Sequence, residues 1–505
     1  MSQRGRARLL RGGILVLWLV LLGLLIRFEV FPEIFTHTLP GYRSLLDRDV
    51  LMEDSWMRIL YKAQPIGYSH TTVEIDEANP LKHYTMASRV FVRLKAMGLD
   101  QPIYVDTTVY VDVTHRLQGF AFGMSAGDHE MQIHGVRADR DGSDFDVVMK
   151  GGAAAQKLQV DIPDDVILYS PMTEMALKRL RPGGELTIRT FDPASLSPSR
   201  LTVRALREEP FTRDGKDEPA VLLETDYQGM KVHSWVARDG TLLRQETPLG
   251  WTIEACTAEA ALDTMRQSAS GGDWVADFAV RPKGEIAASR DSRLLRLRLT
   301  GVDLTAEELG SNRQTVEAVA GTGIDLTVRH ARYPTDPEAM RVLSDDERAA
   351  ALAATPFVQA EAPELVAKAR DITAGVTNDA DKARAIQAWV HDHVKKEMTI
   401  SLPSALDVLQ TMAGDCNEHT YLFTALARAA GVPAKIMVGL AYSKGAFYYH
   451  AWPAVFVGEW VEVDPTWGQE TVDATHIRFT EGELDKQVDI IKFVGRLRIE
   501  VLEAE

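Results

Sequence analysis

A cysteine, a histidine and an aspartate in the C-terminal third of the sequence each occupy a setting suited to chemistry: Cys416, His450 and Asp464. Gly414 precedes the cysteine where a helix is expected to begin. The thiol would therefore meet unpaired backbone N–H groups and the positive end of the helix dipole, and both favour thiolate over thiol. An imidazole within reach can take the thiol proton and later protonate a leaving amine, and a carboxylate can hold that imidazole in the required tautomer. This ordered set predicts a cysteine nucleophile for acyl transfer.

Helices are predicted around the cysteine, because apolar residues recur with a period of 3.6 from about residue 344 onward. The pattern predicts helices at 364–374 and 381–395, the second capped by Asp379 or Asp381. Asp415 is predicted to open the helix that carries the cysteine. These elements would place the nucleophile at a helix start rather than on a buried helical face.

Strands are predicted after that helix, over residues 435–442, 448–457 and 460–464. His450 lies on the second of these strands, and Asp464 ends the third. A turn at 457–459 would make the two strands antiparallel and return Asp464 to the side of His450. The predicted topology thus brings the acid to the base.

Three motifs resemble the transglutaminase-like superfamily: Gly414-Asp415-Cys416-Asn417-Glu418-His419, Tyr449-His450-Ala451-Trp452 and Trp460-Val461-Glu462-Val463-Asp464-Pro465-Thr466. With the preceding helices, the resemblance covers roughly residues 355–480. It implies a papain-like fold and a thioester acyl-enzyme, and many bacterial relatives are thought to be proteases or amidases. Lys435 stands where the family usually has arginine. The resemblance assigns the three catalytic roles to the same Cys, His and Asp.

Further residues near these motifs are candidate oxyanion or substrate contacts: Trp389, Glu418, His419, Tyr449 and Trp452. Some family members place an upstream tryptophan indole in the oxyanion hole, but the spacing of Trp389 does not assign that role. Each of the five residues also has an ordinary interpretation as helix electrostatics or packing.

Composition narrows the classes of partner. The chain has 505 residues and a formal net charge of −16, and such an acidic surface repels phosphate backbones, so no nucleic-acid partner is expected. Two cysteines are too few for a disulfide scaffold, and Cys256 is expected to be a small buried hydrophobe. No cofactor and no metal are predicted. A metal-dependent hydrolase using Cys416, His419 and His450 is a weaker interpretation, since no HExxH or paired-cysteine motif accompanies them.

The N-terminus carries four arginines before an apolar run at 12–26. A cleaved signal peptide and an uncleaved signal anchor are both compatible with it, and the absence of a small-x-small cleavage site favours the anchor. The run is shorter than the roughly 20 residues that usually span a bilayer. Positive charge before it predicts a single-pass protein of the cytoplasmic membrane, with most of the chain on the periplasmic or extracellular side.

The predicted fold class is α+β, in which a large antiparallel β-rich N-terminal region is followed by a papain-like, transglutaminase-like domain. The period-two pattern of residues such as 103–113 supports the first part. The predicted divisions are an anchor at 1–30, a β-rich domain at 31–267, a smaller β-rich or linker domain at 268–343, the catalytic domain at 344–485 and a C-terminal strand or tail at 486–505.

The leading hypothesis is a membrane-anchored extracytoplasmic thiol enzyme that acts on amide or peptide bonds. Its substrate would be a peptide, a protein or a cell-wall peptide, and the acyl group would pass to water or to an amine. The alternative is an inactive binding or scaffold protein whose β domain recognises a cell-envelope partner.

Overall fold

The computed structural model describes residues 41–505 apart from 45, 47–52, 97–98, 128, 141, 152–154, 169–179, 214, 228, 268–276, 287–289, 303, 319–322, 337–339, 400–403, 488–489, 491–492 and 494. Within this range the chain forms one very large sheet, two sheets of four strands and a group of helices packed against the last sheet.

Fifteen strands form the large sheet. Their bounds are Glu53–Tyr61 (β1), Gln64–Ile75 (β2), Tyr84–Ala96 (β3), Leu99–Val111 (β4), Leu117–Ala126 (β5), His129–Arg137 (β6), Asp144–Gly151 (β7), Ala155–Asp161 (β8), Val166–Leu168 (β9), Glu185–Asp192 (β10), Ser197–Arg213 (β11), Lys216–Tyr227 (β12), Met230–Ala237 (β13), Leu242–Glu246 (β14) and Trp251–Ala255 (β15). Short 3-10 helices lie at Gly41–Ser44 and Pro80–Lys82.

Strand β1 lies at the centre of this sheet, where it pairs with both β2 and β15. The chain runs outward from it to β8 at one edge, continues at the opposite edge with β9, and returns strand by strand to β15. Neighbouring strands are antiparallel except β9 and β10. Phe120 of β5 and Phe191 of β10 are far apart in the strand order, yet their ring centroids are 6.4 Å apart. The sheet is therefore curled so that its two halves share a core, as sheets of this size do.

Two smaller sheets follow. The first has the order β17-β18-β16-β25, and alternate residues Leu295, Leu297 and Leu299 of β16 are buried. The second has the order β23-β22-β21-β24, and a two-strand pair, β19-β20, precedes the cysteine helix. The strand bounds are Leu294–Thr300 (β16), Gln314–Ala318 (β17), Gly323–Arg329 (β18), Lys395–Lys396 (β19), Ala413–Gly414 (β20), Ala434–Ser443 (β21), Ala446–Phe456 (β22), Trp460–Glu462 (β23), His476–Glu481 (β24) and Arg498–Ala504 (β25).

The helices are Ala258–Gln267 (α1), Ala306–Leu309 (α2), Asp345–Leu352 (α3), Pro363–Ile372 (α4), Asp379–His393 (α5), Ala405–Thr411 (α6), Cys416–Ala429 (α7) and Leu484–Gln487 (α8). Helix α7 is the central one, because its residues from Glu418 to Ala427 are all buried. Helix α5 is capped by Asn378, whose side chain accepts the Asp381 N–H at 2.8 Å, and not by Asp379 or Asp381 as predicted. The amide oxygen lies just before the first helical turn, where the unpaired N–H groups need an acceptor.

The predicted fold class is confirmed: a large β-rich N-terminal region precedes a C-terminal α+β domain. The domain boundaries given above stay a prediction. In the segment predicted as a C-terminal strand or tail, β25 pairs with β16 and so joins the end of the chain to a sheet that begins about 200 residues earlier.

The prediction of a single-pass protein of the cytoplasmic membrane is contradicted. No helix in the described ranges is both long and apolar enough to cross a bilayer. The longest of them, α5, has 15 residues, against the roughly 20 that a span requires. The predicted anchor at 1–30 lies outside the described residues.

A buried ion pair fastens the β16–β18 sheet to the last sheet. Arg313 Nη1 donates to Glu462 Oε2 at 2.6 Å, and both side chains are about 3% exposed. The same guanidinium donates to the backbone oxygens of Asp473 and His476, at 2.8 and 3.4 Å. Arg313 thus holds both β23 and the loop that leads into β24.

Replacing this arginine should loosen that loop. Arg313→Ala leaves the Glu462 carboxylate buried without its cation, and such a loss costs about 3–5 kcal/mol. Hydrogen exchange followed by mass spectrometry should show peptides over 460–478 exchanging roughly 100-fold faster or more, with peptides of β1–β15 unchanged. The exposed pair of Arg266 and Asp263 supplies the control, since Arg266→Ala should change exchange little. If Arg313→Ala changed the exchange rates as little as Arg266→Ala, Arg313 would not be the residue that holds β23 and the loop before β24.

Candidate active site

The cysteine helix begins with a reciprocal cap. Asp415 Oδ1 accepts the Asn417 N–H at 2.8 Å, and Glu418 Oε2 accepts the Asp415 N–H at 2.8 Å. A side chain at Gly414 would collide with that of Glu418, so glycine is required here by close approach. This cap fixes Cys416 at the first position of α7, half-buried and unpaired with Cys256.

Helix α7 docks against an open stretch of β22. Strand β23 pairs with β22 only over Ala454–Phe456, which leaves the backbone of β22 at Ala451 available to the helix. Thr420 Oγ1 donates to Ala451 O at 3.0 Å. Since His450 is the neighbouring residue on this strand, the docking brings the start of α7 and the histidine together.

His450 and Asp464 form a buried hydrogen-bonded pair. His450 Nε2 donates to Asp464 Oδ2 at 2.9 Å, and the two side chains are 4% and 0% exposed. The other carboxylate oxygen, Oδ1, accepts the backbone N–H groups of Thr466 and Trp467 at 2.8 and 3.1 Å. The acid is therefore fixed by its own turn, and Nδ1 is the imidazole nitrogen that does not face it.

A second histidine, which the sequence analysis missed, contacts the same carboxylate. His476, fully buried at the start of β24, has its Nε2 at 3.2 Å from Asp464 Oδ2 and its Nδ1 at 3.3 Å from Asp473 Oδ1. The only sequence signal is a pair of polar residues, Asp473 and His476, where β24 begins.

Aromatic rings enclose His450. The Trp467 ring stacks on it with a centroid distance of 4.4 Å, and the Arg290 guanidinium lies 3.5 Å from the centroid of the same tryptophan. Trp452 is fully buried, with its ring centroid 5.8 Å from that of His450, and donates its indole N–H to Glu462 at 2.8 Å. This packing holds the imidazole plane and excludes water from it.

The other residues predicted as oxyanion or substrate contacts have different surroundings in the structure. Glu418 belongs to the helix cap, and His419 is buried with its ring nitrogens 2.7 Å from Asp415 O and 3.3 Å from Val394 O. Trp389 stacks on His393 of its own helix, with a centroid distance of 4.8 Å. Of the five candidates, Tyr449 is the one that is 37% exposed and also lies near the thiol. Burial raises the pKa of its phenol, and Cys416 and Asp415 raise it further.

The protonation of the cysteine differs from the expectation of a thiolate. Burial raises the pKa of the Cys416 thiol well above its usual range, the Asp415 carboxylate raises it further, and the Ala451 N–H acts in the opposite direction. Burial also lowers the pKa of His450, although Asp464 acts to raise it. Burial and the carboxylates of the cap act against the helix dipole, and the two pKa shifts together favour a thiol and a neutral imidazole over an ion pair.

The side chains of His450, Asp464 and His476 also have the spacing of a metal-ligand group, since their donor atoms all lie within 4.8 Å of one another. Both histidines, however, already use Nε2 to contact the same Asp464 oxygen. The arrangement in the structure is a hydrogen-bonded one, which suits proton transfer.

A model of the transglutaminase-like superfamily matches residues 366–465. The C-terminal part of this chain is a transglutaminase-like domain. The resemblance predicted from the motifs is thereby confirmed. The match supports an enzyme of the cysteine protease or acyltransferase kind.

Two curated proteins are similar to part of this chain. The kyphoscoliosis peptidase of Mus musculus is 30% identical over 169 residues, and that of Homo sapiens is 29% identical over 169 residues. Each match covers 29% of this chain, and the chain spans 25% of the length of each peptidase. Among solved structures, the periplasmic domain of TgpA from Pseudomonas aeruginosa is 14% identical, with a TM-score of 0.27 over 38% of this chain and 90% of that one.

Changing the acid to its amide should disable the transglutaminase-like site without unfolding it. In Asp464→Asn the amide oxygen can still accept the Thr466 and Trp467 N–H groups. The amide N–H₂ then faces His450 Nε2, which donates to a carboxylate oxygen in the wild type and loses that acceptor. We expect acylation of Cys416 by p-nitrophenyl acetate to slow by about 10³–10⁴-fold. Glu470→Gln is the control, a carboxylate on the same loop that pairs with Arg384 at the surface. A rate within a few-fold of wild type would show that Asp464 does not orient the base.

Proposed function

We propose that this protein is a cysteine amidase or peptidase that cleaves amide or peptide bonds through a thioester on Cys416. The observation that carries the proposal is the buried His450–Asp464 pair, 2.9 Å apart, whose histidine lies on the strand against which the start of α7 docks. A peptide or protein is the substrate class that we propose.

The acylation step follows from the neutral resting pair. As Cys416 Sγ attacks the carbonyl carbon, its proton passes to His450 Nδ1, and the carbonyl π electrons move to oxygen. The imidazolium that forms is stabilised by Asp464. When the tetrahedral intermediate collapses, the C–N bond breaks, His450 gives its proton to the leaving amine, and the acyl group stays on sulfur.

The developing oxyanion needs a donor, and the first turn of α7 supplies one. The helix cap uses the N–H groups of Asn417 and Glu418. The N–H of Cys416 is not used by the cap, and it lies at the positive end of the helix dipole. Tyr449, with its phenol close to the sulfur, is a second candidate donor to the substrate.

Release of the acyl group repeats the steps in reverse order with a new acceptor. His450 takes a proton from water or from an amine as the acceptor attacks the thioester carbonyl. The C–S bond then breaks, and His450 returns the proton to sulfur, which restores the thiol. Hydrolysis and transfer therefore use the same residues and differ in which acceptor reaches the thioester.

A generic acyl donor tests the nucleophile without knowledge of the substrate. With p-nitrophenyl acetate, the full chain should release a burst of p-nitrophenolate equal to the amount of protein, and peptide mass spectrometry should find the acetyl group on Cys416. Cys256→Ala should keep the burst, and Cys416→Ala should lose it. Added hydroxylamine should yield acetohydroxamate, because a thioester transfers readily to amines. Acetylation of Cys256 alone would overturn the proposal.

The acidic side of the pH–rate profile of acylation tests the protonation state of His450. Because burial lowers the pKa of His450, the neutral base persists below the ordinary histidine value of about 6.5. Acylation by p-nitrophenyl acetate should therefore hold its rate as the pH falls through that value and decline only below it. A decline centred above pH 6.5 would instead indicate a histidine that is protonated at rest.

A further inference from the structure

His476 is a buried histidine that the proposed reaction does not use, and both of its ring nitrogens face carboxylates. Its Nε2 is 3.2 Å from Asp464 Oδ2, and its Nδ1 is 3.3 Å from Asp473 Oδ1. A carboxylate is an acceptor, so two protons are needed to satisfy both contacts. An imidazole with a proton on each nitrogen is a cation.

Asp473 is the fixed end of this arrangement. Its Oδ1 accepts the backbone N–H and the hydroxyl of Thr475 at 2.7 and 2.6 Å, and its Oδ2 accepts the Gln469 amide at 2.6 Å. Arg290 Nη1 lies 3.5 Å from the same Oδ2. The chain of contacts therefore runs from a rigid loop through His476 and Asp464 to His450.

The two histidines share one carboxylate oxygen, because both Nε2 atoms contact Asp464 Oδ2. Their ring centroids are 5.6 Å apart. If His450 took up a proton, two cations would lie at that distance in a water-poor site, and they would repel each other. His476 thus opposes the charge that Asp464 would otherwise favour on His450.

We propose that His476 is a positioning residue whose buried positive charge, fixed by Asp473, keeps the Cys416–His450 pair uncharged until substrate binds. This inference rests on the proposed thiol mechanism and adds a fourth side chain to it. Burial is the main reason why the pKa of His450 is lowered, and His476 and Arg290 act in the same direction. Burial opposes protonation of His476, but the contacts with Asp464 and Asp473 prevail and raise its pKa.

Several other charged or titratable groups face the two histidines from the elements packed around them. They are Tyr449, the neighbour of His450 on β22, Cys416, which raises the pKa of the Tyr449 phenol, Arg290 across Trp467, and Arg313 and Glu462, which contact the His476 backbone and the Trp452 indole. Arg290 is the other cation whose field opposes protonation of His450, and it is kept unchanged in every variant below.

The test is the pH dependence of Cys416 alkylation by limiting iodoacetamide in the full chain. Two variants remove the charge differently: His476→Gln removes the imidazole, and Asp473→Asn keeps it but takes away the second carboxylate. With less repulsion, His450 accepts the thiol proton more readily, so more of the cysteine is thiolate at a given pH. We expect both variants to be alkylated about tenfold faster near pH 6, which corresponds to one pKa unit.

His391→Gln is the matched control. His391 Nδ1 lies 2.9 Å from Pro465 O on the aspartate loop, but its ring contacts neither Asp464 nor Asp473 in the structure. Its alkylation profile should match that of wild type. A shift in this variant equal to that of His476→Gln would attribute the effect to loosening of the loop and would overturn the inference.

His476→Gln and Asp473→Asn are then each combined with His450→Ala. These double variants distinguish an effect of the lost charge from a structural disturbance that exposes Cys416. Without the base, removing a nearby cation can no longer help the thiol lose its proton, so the acceleration should disappear. An acceleration that survives in His450→Ala would mean that the variants merely expose Cys416, and the inference would fall. If wild-type alkylation itself does not depend on His450, the proposed function fails. If wild-type alkylation depends on His450 but His476→Gln and Asp473→Asn both keep the wild-type profile, the proposed function stands and only the role of His476 is disproved.

Discussion

The site is organised around one buried carboxylate. Asp464 is fully buried, and an ionised group in that position is tolerated only if donors replace the water that it has lost. Two donors come from its own turn and two from histidines on β22 and β24. Strands β22 and β24 flank β21 on opposite sides, so the carboxylate is satisfied only when the whole sheet has assembled.

Satisfying that carboxylate has an electrostatic consequence for the nucleophile. An isolated Asp–His pair would favour an imidazolium and hence a thiolate, whereas here the aspartate is shared with a second histidine. At the other end, the cap that fixes α7 brings the carboxylates of Asp415 and Glu418 next to the sulfur. The groups that give the site its geometry therefore also raise the pKa of its cysteine.

The parts of the site that depend on local pattern could be predicted from the sequence. The approximate positions of the helices and strands and the motifs around Cys416, His450 and Asp464 were predictable because each is encoded within a few residues. The protonation state of the site was not, since the expected thiolate took account of the helix dipole but not of burial. His476 and Asp473 were missed for a related reason: buried polar residues look like surface residues until the pairing of β24 with β21 shows what they face.

The curl of the large sheet could not be predicted from the sequence either. Period-two patterns predicted many antiparallel strands, and the structure has them, but no local pattern indicated that β1 would pair with β15 at the centre of fifteen strands. That pairing joins residues about 200 positions apart, and only the shared core of the two halves specifies it. Local periodicity fixes which face of a strand is buried, not which distant strand covers it.

A protonated resting cysteine suits an enzyme whose nucleophile is only partly shielded from solvent. Thiolates, rather than thiols, are alkylated and oxidised, so a neutral pair is protected while the site is empty. The cost is that the proton must move during the attack itself, when a substrate carbonyl is in place and the Cys416 N–H can stabilise the oxyanion. Charge then separates between the substrate oxygen and His450, with Asp464 beside the new imidazolium. On this reasoning, reactivity is a property of the complex with substrate rather than of the cysteine alone.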